Sequence, residues 1–275
     1  MANDQSNRDD PGIDWSSQET AEHRNRGRAR RGAIQGPATQ MMLDLAEIRT
    51  GSRVLDVAAG TGDQTLLTAE RVGPTGYVLA TDVSANMLKL AADAARAAGL
   101  TNLETRVMDA QNIDLEPDSF DAAICQLGLF LFSDPANVLR SMRRVVRPEG
   151  KVAALVFSTA EKNPYQGIAL GVARRLGSTG PPLFSLGEAH VLESAFRESG
   201  LRNVAVHAAS FSRHFSSSVE MIQRLKETVL RAPLDKLEES AREQAWKEIE
   251  RQFRPLEGPN GVDVPGEFLI AVGTK

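Results

Sequence analysis

Val54-Leu55-Asp56-Val57-Ala58-Ala59-Gly60-Thr61-Gly62-Asp63, running into Gln64 to Arg71, reads as a short apolar strand, a tight turn and the start of a helix. The strand candidate spans Arg53 to Ala59. Gly60 and Gly62 permit backbone angles closed to most residues and leave the main chain open to close approach by a ligand. Asp82 follows Gly62 by 20 residues, at the end of a second apolar run, Tyr77 to Thr81. A carboxylate at that place can accept hydrogen bonds from both hydroxyls of a ribose.

Outward from this stretch, strands and helices alternate. Ala85 to Ala98 is an alanine-rich helix closed by Gly99, and Leu103 to Met108 a third strand. Phe120 to Gln126 is a fourth, entered from the turn Glu116-Pro117-Asp118-Ser119. Ala136 to Val146 carries Val138, Leu139, Met142, Val145 and Val146 at helical spacing. Arg147-Pro148-Glu149-Gly150 reads as a turn before a fifth strand, Val152 to Phe157. Such alternation predicts a parallel sheet covered by helices on both faces. Upstream, Pro37 to Ile48 has a helical pattern. Downstream, residues 158–190 read as loops with a short helix, Val191 to Ser199 as a helix, and Val204 to His207 as a sixth strand. Val219 to Phe253 is a charged helical stretch broken near Pro233, and Phe268 to Val272 a last strand.

Composition narrows the function. Of the 275 residues 41% are hydrophobic, enough for one large domain, and no apolar run approaches the roughly 18 residues of a membrane span. Met1 to Gly12 is polar and lacks the layout of a secretory signal. The single cysteine, Cys125, excludes an intrachain disulfide and Cys-based zinc sites, which favours a cytoplasmic enzyme. A net charge of −4 argues against nucleic acid as a partner. The one basic run, His23 to Arg31, reads as a solvated helix or arm rather than a grip on an anionic substrate.

A glycine turn plus a distant acid serves dinucleotides as well as other adenosine cofactors. A dinucleotide fingerprint places glycine where this chain has Thr65. Asp63 at the helix start would repel a pyrophosphate, whereas a ligand bearing an ammonium and a sulfonium meets no such repulsion. Asp56 to Asp63 resembles the first motif of class I S-adenosylmethionine-dependent methyltransferases, with Ala58 where many members carry the first glycine. Thr81 to Leu88 resembles their second motif. Asp109-Ala110-Gln111, with Phe120 to Leu129, resembles the adenine loop and fourth strand, and Leu139 to Phe157 the following helix, turn and strand. Residues 40–157 are most similar to the ubiquinone/menaquinone-biosynthesis-like group of small-molecule enzymes.

That resemblance implies a Rossmann-like, seven-stranded, mostly parallel sheet with the last strand antiparallel, plus a helical lid. It implies a flexible tail and arm over 1–35, a domain over 36–275, and lid segments near 158–190 and 214–262. S-Adenosyl-L-methionine would meet Asp82 at its ribose, Val83 and Met87 at its adenine, and Asp109, Ala110 and Gln111 at the adenine amino edge. Gly60, Thr61 and Gly62, supported by Asp56 and Ala58, would pass beneath its methionine portion, and Gln126, Leu127 and Gly128 would face the sulfonium. The alternative role for Asp82 is a helix cap, which Ser84 can also fill. A small, apolar or aromatic methyl acceptor would lie among Phe130, Phe132, Tyr165 and Phe184, joined by Trp15 of the arm. Plain core packing is the alternative reading of each aromatic.

Asn163-Pro164-Tyr165 is not the motif of amine-methylating enzymes, because it follows the fifth strand and lacks a second proline. None of His23, His190, His207, His214 or Tyr165 stands out as a base, no metal-ligand spacing occurs, and Cys125 reads as a buried strand residue. Two other classes remain: a nicotinamide-dependent oxidoreductase, opposed by Thr65 and Asp63, and a non-catalytic S-adenosylmethionine binder, opposed by the intact Asp56, Gly60, Gly62 and Asp82.

Overall fold

A computed structural model describes residues 14–275; the polar stretch Met1 to Gly12, and the signal reading made on it, lie outside them. The chain divides into two compact units. The larger holds Trp15–Ser158, Leu183–Ala209 and Phe268–Lys275. Its strands are β1 Arg53–Val57, β2 Tyr77–Asp82, β3 Leu103–Val107, β4 Phe120–Gln126 and β5 Val146–Phe157, with most of β6 Arg202–Phe215 and the end of β8 Gly261–Thr274. The sheet order is β3-β2-β1-β4-β5-β8-β6. β1 to β5 pair in parallel and β8 lies antiparallel to β5, Lys151 opposite Thr274 and Phe157 opposite Phe268. The eighth strand is the two-residue β7, Glu257–Gly258, which pairs with β8.

The buried runs Val54–Val57, Val78–Ala80, Ala122–Cys125 and Val152–Val156 explain the parallel centre, because strands covered on both faces need no polar alternation. From β1 the order steps one way to β2 and β3 and the other way to β4 and β5. Right-handed crossovers then place α3 Asp63–Val72 and α4 Ala85–Ala97 on one face and α5 Pro135–Val145 on the other. α2 Arg28–Leu45 packs on α3, and α7 Ala189–Glu198 on α5.

Three expectations shift. The predicted turn at Arg147 to Gly150 is a bulge inside β5: Phe120 faces Val146 and Ala122 faces Lys151, with Glu149 in the left-handed region at φ 65° to absorb the extra residues. The N-terminal arm does not end at 35. α1 Gln18–Arg26, capped by Ser17, is followed after Gly27 by α2, which runs from Arg28 through Pro37 to Leu45. Proline removes one hydrogen bond but keeps a helical φ, and Thr39 Oγ1 donates back to the Gln35 carbonyl at 3.0 Å. Finally, Phe184 and Leu186, placed by sequence in a lid, belong to the larger unit.

The smaller unit comprises Thr159–Pro182 and Ser210–Glu267 among the described residues. It contains α6 Pro164–Arg175, α8 Ser218–Lys226, α9 Ala232–Asp235, α10 Glu239–Phe253, β7 and the adjoining parts of β6 and β8. Asn163 is fully buried here: its Nδ2 donates to the Thr159 and Glu267 carbonyls and its Oδ1 accepts from the Glu267 amide. The amide is consumed by backbone, in keeping with its rejection as a methylation motif.

Candidate active site

Strand order reverses between β1 and β4, and the turns that leave these two strands meet there. Ala58 sits at φ 56° and Leu127 at φ 53°, angles that side chains rarely adopt. A Cβ on Gly128 would lie 2.7 Å from the Ala58 Cβ. Ala58 can therefore stand in the first-glycine position because Gly128 has no side chain. Gly62, at φ 84°, is excluded from substitution on both counts, since a Cβ there would meet Ala91 Cβ at 2.7 Å.

Asp82 fastens the β1 turn to the end of β2. Its Oδ2 accepts from the Gly60 amide and its Oδ1 from the Ser84 amide, each at 2.9 Å. Ser84 Oγ caps α4 by accepting from the Met87 amide, so the capping role falls to Ser84 and the carboxylate stays at the turn. Burial lifts the Asp82 carboxyl above the ordinary carboxylate range, against the pull of the Ser84 and Gly60 amides and of the Arg24 charge. The Val83 amide also bonds the carboxylate, whose lone pairs still leave room for a hydroxyl donor. Val83 is exposed beside it and Met87 is buried, 3.7 Å from where a Gly60 Cβ would stand. Asp109, exposed, accepts from the Gln111 amide at 2.9 Å and caps the short turn Ala110–Asn112, in which Ala110 is buried and Gln111 exposed.

Asp56 has a different role from a ligand contact. It is fully buried, with Gln64 Nε2 donating to Oδ1 at 3.0 Å and Thr65 Oγ1 to Oδ2 at 2.5 Å. Thr65, the residue that breaks the dinucleotide pattern, thus locks the first turn of α3 to β1. Burial pushes the Asp56 carboxyl up to about 7, against the two side-chain donors. The folded chain then keeps a proton that the unfolded chain releases from about pH 4 upward. This contribution to stability is full below that pH and is lost as pH rises through about 7. Asp56→Asn can accept from Gln64 and donate to Thr65 Oγ1. It should gain on the wild type between about pH 5 and pH 8, by on the order of 2 kcal/mol. Urea denaturation at the two pH values checks this; a pH-independent difference would mean that Asp56 titrates normally.

The basic run is not a solvated face. Arg31 Nε donates to Asp63 Oδ2 at 2.7 Å, Nη2 to Thr61 Oγ1 at 3.2 Å and Nη1 to the Arg24 carbonyl at 2.6 Å. Arg28 donates to the Thr61 carbonyl and lies 3.5 Å from Asp63. The side chains are 19%, 23% and 12% exposed for Arg31, Arg28 and Asp63, so the cluster is shielded from solvent. Burial, with the nearby Arg31 charge, pushes Arg24 down to about 10, opposed by Asp63 and Asp82. Asp63 is thus paired with two cations, and the repulsion of a pyrophosphate inferred from it does not hold. Sequence reading missed these arginines; the signal available was a basic run i, i+4, i+7 (Arg24, Arg28, Arg31) that presents one helical face.

The predicted acceptor residues are distributed over both units. Phe130 and Phe184 both pack on Phe157, at 6.1 and 6.3 Å between ring centroids, as part of the larger unit's core. Phe132 is half-buried. Tyr165 is buried in the smaller unit. Arg24 stands 5.7 Å over the Trp15 ring, and the adjacent Ser16 carbonyl accepts from Asn86 of α4. Gln126 turns to α2, its Oε1 lying 2.8 Å from Thr39 Oγ1. His190 is exposed at the start of α7, and His214 pairs with Asp263 on the smaller unit's surface. Cys125 is buried, which raises its thiol well above the ordinary range.

Residues 38–175 match the ubiE/COQ5 methyltransferase family, half of the chain and the whole of the β1 to β5 site. The chain belongs to that family. It is 39% identical over 117 residues to the ubiquinone/menaquinone biosynthesis C-methyltransferase of Pseudomonas savastanoi, covering 42% of this chain and 46% of that one. The corresponding enzyme of Pseudomonas aeruginosa is 35% identical over 133 residues, 48% and 52% of the two chains. The chain therefore spans about half the length of the curated relatives it matches. Among solved structures it resembles the YcgJ protein of Bacillus subtilis, with a TM-score of 0.60 at 20% identity over 87% of this chain and 98% of that one. It also resembles a SAM-dependent methyltransferase from Aquifex aeolicus, with a TM-score of 0.56 at 20% identity over 71% and 93%. These likenesses show a shared fold. Among the described residues no helix is long and apolar enough to cross a membrane.

Proposed function

We propose that this chain is an S-adenosylmethionine-dependent methyltransferase acting on a small molecule. The observation that carries the reading is the Asp82 carboxylate, held by the Gly60 and Ser84 amides with acceptor capacity left for a hydroxyl, at the switch point of a ubiE/COQ5-family sheet. The cofactor supplies an electrophilic methyl group on a sulfonium. Asp82 accepts the ribose hydroxyls, Val83 and Met87 lie along the adenine, and Asp109 with the Ala110–Gln111 turn receives its amino edge. Gly60 to Gly62 give the methionine portion access to the main chain. Leu127 and Gly128 face the sulfonium, while Gln126 holds α2.

Methyl transfer is a displacement at carbon, so alignment of acceptor and donor supplies the larger part of the rate, up to ~7–11 kcal/mol. The acceptor is a small apolar or aromatic molecule. The residues that exclude water from the donor are those of the arm: Arg28 and Arg31 fasten α1 and α2 to the turn, and Trp15 stands under Arg24.

Calorimetric titration with S-adenosylmethionine, S-adenosylhomocysteine and NADH in parallel tests the reading. Micromolar binding of both adenosyl ligands with NADH silent is the expected result. NADH binding in their place would return the chain to the oxidoreductase reading, and silence of all three would remove the cofactor assignment.

A further inference from the structure

The smaller unit contains a half-buried cation, Arg213, with no carboxylate paired to it among the described residues. Phe211, Arg213 and Phe215 alternate along β6 and so share one face of the strand. Tyr165 of α6 stacks on Phe215, 5.6 Å between centroids and 10° between planes. The Arg213 guanidinium lies 5.0 Å from the Tyr165 ring centre and 4.7 Å from that of Phe211. Phe211 in turn rests on the backbone of Gly266, where any Cβ would come within 2.1 Å of the ring. A guanidinium is thus set against two rings whose positions are fixed by their own packing.

Its Nη1 is shut off from solvent and has no hydrogen-bond partner. No carboxylate among the described residues forms an ion pair with it; of the acids of this unit, Asp263 pairs with His214, Glu267 with Lys162 and Glu220 with Arg224. Next to Tyr165, Gln166 buries an Oε1 that is likewise without a partner. Two cation–π contacts do not replace the hydrogen bond that the occluded Nη1 lacks. A planar guanidinium instead forms paired hydrogen bonds to a carboxylate or phosphate, while aromatic neighbours accommodate a flat apolar body.

We infer that Arg213, framed by Tyr165 and Phe211, is a recognition site for an anionic group, carboxylate or phosphate, carried on a flat apolar molecule. The inference rests on the proposed function in one respect: it makes the methyl acceptor an acid. It therefore sharpens the expectation of an apolar acceptor, which composition and aromatic content alone had suggested.

The test uses the full chain and 2-naphthoate, 2-naphthyl phosphate and neutral 2-naphthamide as probes, with S-adenosylhomocysteine titrated in the same samples. Calorimetry should show the carboxylate or the phosphate binding at least tenfold more tightly than the amide, and which of the two wins identifies the anion. Arg213→Gln should abolish that preference while adenosylhomocysteine binding is unchanged. Equal binding of all three probes, or of none, would overturn the anion site, as would an Arg213→Gln protein that keeps the preference. Because the comparison of probes is made on the wild type, it stands even if the variant folds poorly. Loss of adenosylhomocysteine binding by the wild type would instead count against the methyltransferase reading and leave the anion site to be judged on the probes alone.

Discussion

Asp82→Ala is expected to weaken S-adenosylmethionine binding at least tenfold, about 1.4 kcal/mol, when titrated beside the wild type. The lost interactions are charge-assisted hydrogen bonds from two hydroxyls, each worth on the order of 1.5–3 kcal/mol in a shielded place. The same substitution frees the Gly60 amide, so part of the effect could come from a loosened turn. Asp82→Asn removes the charge while its Oδ1 still accepts from one backbone amide; its Nδ2 now faces the other amide, so both binding and the urea midpoint should fall between those of the wild type and Asp82→Ala. A dissociation constant unchanged in Asp82→Ala would mean that the carboxylate serves only the fold, as the tie between the turns after β1 and β2.

Asp82 could be read from sequence because its setting is local: a strand end, a glycine turn one crossover earlier, and Ser84 two residues on to take the cap. The same is true of β1 to β5, whose apolar runs have nowhere to go but the middle of a parallel sheet. The arm was misread because a run such as Arg24 to Arg31 has one appearance whether it faces water or an acid, and its partners Thr61 and Asp63 lie about thirty residues away. The electrostatic argument built on Asp63 failed for that reason, although the cofactor class it favoured agrees with the family the chain belongs to. For the aromatics, only the fold assigns Phe130 and Phe184 to the core around Phe157 and Tyr165 to the other unit. Arg213 carried no sequence signal, since an arginine alternating with phenylalanines on a late strand reads as the solvent face of an edge.

Removing the acid that holds the arm is the second large effect. Asp63 receives Arg31 at 2.7 Å and Arg28 at 3.5 Å, with all three side chains less than a quarter exposed. Asp63→Ala leaves two guanidinium groups beside each other and beside Arg24, whose pKa already reflects burial and the charge of Arg31. Breaking one partner of a shielded pair costs more than the pair contributes, because a charge is left unmatched; about 2–3 kcal/mol of destabilisation in urea is expected. The loss should fall first on α1 and the start of α2, as the packing of the sheet does not depend on Asp63. Trypsin, which cuts after arginine, should therefore cleave between Arg24 and Arg31 at least tenfold faster in Asp63→Ala, corresponding to about 1.4 kcal/mol of local opening. Asp63→Glu keeps the charge and should restore most of the resistance. Should Asp63→Ala unfold at the wild-type urea concentration and resist trypsin equally well, the arginines would be held by the Thr61 backbone and by helix packing, and the acid at the start of α3 would be free to face the ligand.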